Sequence, residues 1–338
     1  MNIYDKNGYL DMNKIINLPY AFIFVVGARG IGKTYGALKY AVDNEVKTML
    51  MRRTQQQCDF ISKPQFAPIK TICDDEHIEY EVRPLSQSSA GYYLNGEDKP
   101  TMVTCALSTI SNMRGFDSSD INLIIYDEFI PEAHERTMKN EAEAFLNAYE
   151  TINRNREING GEAVKCLCLS NSNDILNPIF ITLKLVDVVG KMAEKGTDYY
   201  ADNKRGFAVI MPSNSPISKE KNATALYKLA GDEFKAMALS NKFENAISRN
   251  VRHMNIAEFR PIAKIGEINI YRHKSMNQYY CTPYLSGVFN TVYGTNDAEI
   301  NRARRDLYFA IVAYSSGRVL FETRLTEGLF CKIFGIKC

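Results

Sequence analysis

The amino-acid sequence predicts an α/β protein in which a doubly wound, mostly parallel sheet is followed by a linker and a small α/β domain. Short apolar runs rich in β-branched and aromatic residues recur between residues 20 and 169 and read as buried strands. Helical stretches separate several of them, the pattern of strand–helix–strand units around a parallel sheet. At residues 211–222 the pattern gives way to turn formers and charge, and the chain beyond is basic.

In chain order, residues 20–26 form the first expected strand, ending at Gly27, and residues 34–42 read as a helix. Residues 47–51, 102–107, 121–126 and 164–169 repeat the strand pattern. Residues 140–153 read as a helix marked by the spacing of Ala142, Phe145, Leu146 and Tyr149. Such a sheet takes its ligand at the carboxyl ends of its strands. The first domain is therefore expected over residues 1–205, with a partly helical linker at 206–245 that turns helical from residue 223. Residues 246–338 are expected to form the small domain, with a strand pair at 263–272 and 278–284, a helix at 297–314 and a strand at 318–322. There are no internal repeats and no low-complexity tract.

At 338 residues the chain is longer than a single core usually grows, consistent with two domains. With 24% charged and 45% hydrophobic residues the composition is that of a globular protein rather than a disordered one. No apolar run approaches the roughly 18 residues that span a bilayer, so no membrane partner is expected and the cytoplasm is the expected location. The eight cysteines lack regular spacing, and Cys105, Cys166 and Cys168 lie inside apolar runs, so reduced core thiols are expected rather than a disulfide frame or a zinc site. The net charge of +2 is unevenly shared, since residues 241–338 hold 14 Lys and Arg against 8 Asp and Glu. Such a basic end permits an anionic partner, though a solvated basic face has the same composition.

The strongest chemical signal is Gly27, Ala28, Arg29, Gly30, Ile31, Gly32, Lys33 and Thr34, which satisfies the phosphate-loop pattern between an expected strand and an expected helix. In such a loop the backbone N–H groups turn inward around phosphates, Lys33 reaches the β and γ oxygens, and the Thr34 hydroxyl ligates magnesium. The apolar run at 121–126 ends in Asp127 and Glu128. Asp127 is placed to hold the magnesium shell, and Glu128 to polarise an attacking water as general base. No Asn-Lys-x-Asp stretch follows a later strand of the first domain, so ATP is favoured over GTP. The strand at 164–169 delivers Asn171 to the same edge, where it is a candidate to touch the water or the γ-phosphate; a turn-forming asparagine would look the same. Arg154 and Arg156 follow the helix at 140–153. An arginine fork matches phosphoryl oxygens, and arginine fingers are often supplied by a neighbouring subunit, but an arginine in such a loop is more commonly a solvated surface residue.

The phosphate loop with Arg29 inside it, Arg52 and Arg53 closing the second strand, and the Arg114-Gly115 step ahead of the Asp127 strand together resemble a viral DNA-packaging ATPase. The short chain, the small C-terminal domain and the spacing to Arg154 and Arg156 are most similar to the phi29-like bacteriophage packaging ATPases. The resemblance covers the whole chain in layout and residues 20–175 in motif detail. It implies a homo-oligomeric ring, commonly a pentamer, that acts in the host cytoplasm at the portal vertex of the empty procapsid and drives double-stranded DNA inward. It implies Arg154 as the trans-acting arginine finger with Arg156 as the fallback, Arg114 facing the neighbouring site, and the portal and a packaging RNA as partners. For the C-terminal domain it implies a degenerate, non-cutting RNase H-like nuclease, since basic residues stand where an acidic cluster is needed, while Glu267 and Glu299 leave a weak metal site open. The polar stretch at residues 84–100 is a candidate DNA-gripping hairpin tip, although the polarity common to loops favours an ordinary surface loop. Two other readings stay open: a helicase-like, nucleic-acid-stimulated ring ATPase, which would separate strands, and a nucleotide-gated scaffold or small-molecule kinase, whose turnover would ignore DNA.

Overall fold

A computed structural model describes residues 2–113, 117–132, 135, 138, 140–171, 174–212, 215–221, 223–229, 231 and 250–336. The chain forms two compact units, one of Met1–Asp174 with Lys195–Glu244, the other of Ile175–Glu194 with Asn245–Cys338.

Among the described residues, nine strands build the sheet of the first unit: β1 Phe22–Val26, β2 Thr48–Arg52, β3 Tyr80–Ser86, β4 Ser89–Leu94, β5 Met102–Ala106, β6 Leu123–Asp127, β7 Lys165–Ser170, β8 Tyr199–Asp202 and β9 Phe207–Ile210. Their order is β3-β4-β5-β2-β6-β7-β1-β9-β8. The run from β5 to β9 is parallel, and antiparallel hairpin partners close both edges. The doubly wound expectation holds because the two strand faces bury different material. Ile23, Val25, Leu50, Ile125, Leu167 and Leu169 pack with Ala37, Leu38, Ala41 and Val42 of helix Lys33–Asp43. On the opposite face Phe22 meets Phe145 and Tyr149, and Tyr126 stacks on Phe145, so helix Glu141–Asn153 covers that side. Strands covered on both faces are apolar throughout, which is why these were readable as short runs.

The edge hairpins are not readable in this way. β3 is mostly exposed and contains Pro84, as an edge strand can. The polar stretch at 84–100 is not a free tip, because β4 within it is wholly buried and only Gln87 and Ser88 turn between the strands.

The second unit carries a five-stranded sheet ordered β13-β10-β11-β12-β14, from β10 Phe259–Ile265, β11 Ile268–His273, β12 Tyr279–Thr282, β13 Val292–Tyr293 and β14 Val319–Phe321. The expected strand at 263–272 is in fact the hairpin β10–β11. Gly266, at φ +54°, makes the turn that an apolar count does not register. The expected helix at 297–314 is broken at Leu307 into Asp297–Asp306 and Tyr308–Ser315. Of the helix expected from residue 223, Ala225–Leu229 is described and residues 232–249 lie outside the described residues.

Residues 175–194 pack with the second unit, although the sequence reading carries the first domain to residue 205. The contacts responsible are distant in sequence. Asp187 Oδ1 accepts from the backbone N–H of Arg324 at 3.0 Å, Glu194 pairs with the Arg324 guanidinium, and a Cβ on Gly190 would sit 2.6 Å from the Arg324 side chain. Six described cysteines are buried free thiols, as expected of core positions, whereas Cys331 is disulfide-bonded, against the expectation of reduced thiols throughout. Among the described residues no helix is long and apolar enough to cross a membrane.

Candidate functional site

β1, β2, β6 and β7 are parallel neighbours, so the residues that follow them gather at one edge of the sheet. Gly27 leaves β1 and donates its N–H to Ser170 O at 3.1 Å. The loop then turns through Gly30 (φ +68°) and Gly32 (φ +90°), conformations that cost a side chain strain and glycine little. Between them Ile31 is fully buried, and its carbonyl accepts from Leu10 N at 2.9 Å, which pins the loop to the N-terminal segment. Gly32 caps helix Lys33–Asp43, so the unpaired N–H groups of the first turn and the positive end of the helix dipole face the loop.

Lys33 folds back over this loop, and its Nζ donates to the carbonyls of Gly27 and Ala28, each at 2.7 Å. Burial pushes the ammonium pKa down to about 7, against the pull of Asp127. Thr34 Oγ1 donates to Asp127 at 3.0 and 3.2 Å from the two carboxylate oxygens. A hydroxyl and a buried carboxylate that converge in this way fit magnesium, which takes one or two protein ligands and completes its shell with phosphate and water oxygens. Glu128 follows in a left-handed conformation at φ +58°, uncommon for a side-chain-bearing residue and a mark of local constraint. Burial raises its carboxyl pKa, and the charge of Arg52 opposes this.

Arg52 received no role from sequence, yet it ties the pair together. Its Nη2 lies 2.9 Å from Asp127 Oδ2 and its Nη1 lies 3.0 Å from Glu128 Oε2. The available signal was its position as the last residue of β2, next to β6 in the sheet. Arg53, 1% exposed, turns away into a buried pair with Glu141 at 2.6 Å and reaches Glu135 at 2.9 Å. Arg29 pairs with Glu132 at the surface.

Asn171 is half-buried directly after β7, the strand between β1 and β6, and so lies at the same edge as the loop and the carboxylates. Arg154 and Arg156 are at the other edge. Asn153, just before them, accepts from Val164 N ahead of β7, and Arg156 donates to Asn122 Oδ1 ahead of β6 at 3.1 Å. Arg156 also holds the carbonyls of Ser118 and Ser119 at 3.0 and 2.6 Å. The Arg154 side chain is exposed, at a backbone φ of +48°. Arg114 lies outside the described residues.

A glycine-turned loop between a strand and a helix, with paired carboxylates on the second parallel strand away, defines the P-loop class of α/β proteins. The family profile described as podovirus DNA encapsidation protein (Gp16) matches residues 4–254, and the chain belongs to that family. The DNA packaging proteins of Bacillus phages phi29 and PZA are each 28% identical over 245 residues, covering 71% of this chain and 67% of theirs. That of Bacillus phage B103 is 28% identical over 242 residues, covering 70% and 66%. In fold, the chain is similar to the phi28 gp11 DNA packaging motor, with a TM-score of 0.69, 18% identity and coverage of 98% and 100%. It is also similar to a chain of the phi29 viral genome packaging motor assembly, with a TM-score of 0.68, 20% identity and coverage of 97% and 98%. The family found is the one that the sequence motifs resemble.

Proposed function

We propose that this protein is the ATPase subunit of a homo-oligomeric ring that drives double-stranded DNA into an empty procapsid at its portal vertex. The observation that carries this is the convergence of Lys33, Thr34, Asp127 and Glu128 at one sheet edge in a member of the DNA encapsidation family. In this reading the N–H groups of residues 27–34 and the Lys33 ammonium hold the phosphates, and Thr34 and Asp127 hold magnesium, which offsets the charge of the triphosphate. Glu128 takes the proton of the attacking water, Arg52 holds both carboxylates in register, and Asn171 touches the γ-phosphate. Arg154 acts on a neighbouring subunit's site, and a pentamer, the portal and a packaging RNA are the partners that the family likeness implies. In a packaging reaction with procapsids bearing their portal, linear duplex DNA should become protected from nuclease only with hydrolysable ATP. Unwinding of a forked duplex without such protection would replace this reading with that of a helicase.

For the second unit the same reading assigns a nuclease-like domain that does not cut. The two carboxylates that the sequence singles out are engaged in ion pairs: Glu267 lies 3.7 Å from Lys184, and Glu299 sits in the first turn of helix Asp297–Asp306 with Arg302 at 3.5 Å. Supercoiled plasmid incubated with the protein and manganese should therefore stay intact, and nicking that disappears in Glu267→Ala would overturn the assignment.

A further inference from the structure

A second ammonium group stands at the phosphate loop. Lys221 ends the short helix Pro216–Lys221, and its Nζ donates to the Arg29 carbonyl at 2.9 Å. It lies so close to Gly30 that a Cβ on that residue would be 1.7 Å from the Lys221 nitrogen. Glycine at this position therefore leaves room for the ammonium as well as making the turn. The helix is fastened to the loop's surroundings at its other end. Ser215 Oγ donates to Gly8 O at 3.2 Å, and Pro216 packs against Gly8 so tightly that a Cβ there would be 2.8 Å away. Two residues on from Gly8, Leu10 makes the backbone bond to Ile31. Beyond burial, the charges acting on the Lys33 ammonium are those of Asp127, Lys221, Arg29 and Glu128. Lys221 thus shares one small volume with the side chains that would surround a terminal phosphate.

A partly buried ammonium that rests on a neutral carbonyl has a weaker acceptor than a phosphate oxygen would offer. The inner phosphates are served by the loop's own N–H groups and the helix N-terminus. We infer that Lys221 is a further phosphate-binding residue, whose Nζ moves from the Arg29 carbonyl to an oxygen of the γ-phosphate when ATP binds. The inference rests on the reading of the loop as an ATP site and adds a consequence to it. Helix Pro216–Lys221 opens the stretch that leads in sequence toward the second unit, so loss of the γ-phosphate would return the lysine to the carbonyl and change the hold on that stretch.

The test is calorimetric titration of the full chain with magnesium and either ATPγS or ADP, for wild type, Lys221→Ala, Lys221→Gln and Lys221→Arg. Loss of one charge-assisted hydrogen bond should weaken ATPγS binding about tenfold in the alanine and glutamine variants. ADP affinity should stay within about twofold, and arginine should recover most of the loss. Equal weakening for both nucleotides, or none for either, overturns the role of Lys221. If wild type binds both nucleotides and Lys33→Ala neither, that failure belongs to Lys221 alone. If wild type binds neither, the ATP-site reading falls and the inference falls with it.

Discussion

Glutamine at position 128 should give a protein that binds ATP as tightly as wild type and fails to turn it over. The carboxylate of Glu128 is held by Arg52 at 3.0 Å, beside a residue that already faces Thr34. Burial raises its pKa and makes it a better proton acceptor than a free glutamate. Glutamine keeps the shape and can still accept a hydrogen bond, but it cannot take the proton. The expected loss is about 10² to 10⁴ in turnover, with the nucleotide dissociation constant changed less than about threefold. Lys33→Ala should behave differently, because the ammonium neutralises phosphate charge in the bound state as well as in the transition state. It should lose measurable binding and turnover together. Phosphate release at saturating ATP and titration with a fluorescent ATP analogue separate the two variants. Hydrolysis by Glu128→Gln at near the wild-type rate would place the base elsewhere.

The parallel strands β1, β2, β5, β6 and β7 are legible in the sequence because burial on both faces leaves no polar alternation to interpret, whereas β9, equally buried and parallel but only four residues long, falls in residues expected to be a linker. The edge strands β3 and β8, and β4 beside β3, are not, since their polarity reflects exposure on one side or the hydrogen bonding of small side chains. The phosphate loop and the two carboxylates are legible for a different reason: each is contiguous, and the sheet order that joins them follows from ordinary strand–helix–strand winding. What contiguity cannot reveal are partners brought together only by folding. Arg52 meets Asp127 and Glu128 from another strand, Lys221 reaches the loop from 192 residues away, and Arg324 draws residues 175–194 into the second unit. Residue type and position do not distinguish Arg154 from Arg156, whereas the structure shows Arg156 bonded to Asn122, Ser118 and Ser119 and the Arg154 side chain exposed.

That separation carries the last prediction. Arg154 lies near the amino ends of β6 and β7, whereas the phosphate loop lies at the carboxyl ends. At about 3.3 Å per residue, the five residues of β6 put these two edges on the order of 15 Å apart. An arginine so placed cannot serve its own nucleotide without refolding the helix that carries it, but its exposed side chain can meet the site of the next subunit in a ring. Arg154→Ala should therefore lower turnover by about 10³ or more while nucleotide affinity changes little. Wild-type specific activity should rise with protein concentration as subunits come into contact. Mixing Arg154→Ala with Glu128→Gln should restore part of the activity, because some interfaces then join an intact base on one chain to an intact arginine on the other. A cis arginine would give no such recovery. Arg156→Ala should leave turnover within a fewfold of wild type, since its guanidinium is committed to the loop at Ser118 and Ser119. Turnover that depends on neither arginine and not on protein concentration would remove the shared-site ring from the account.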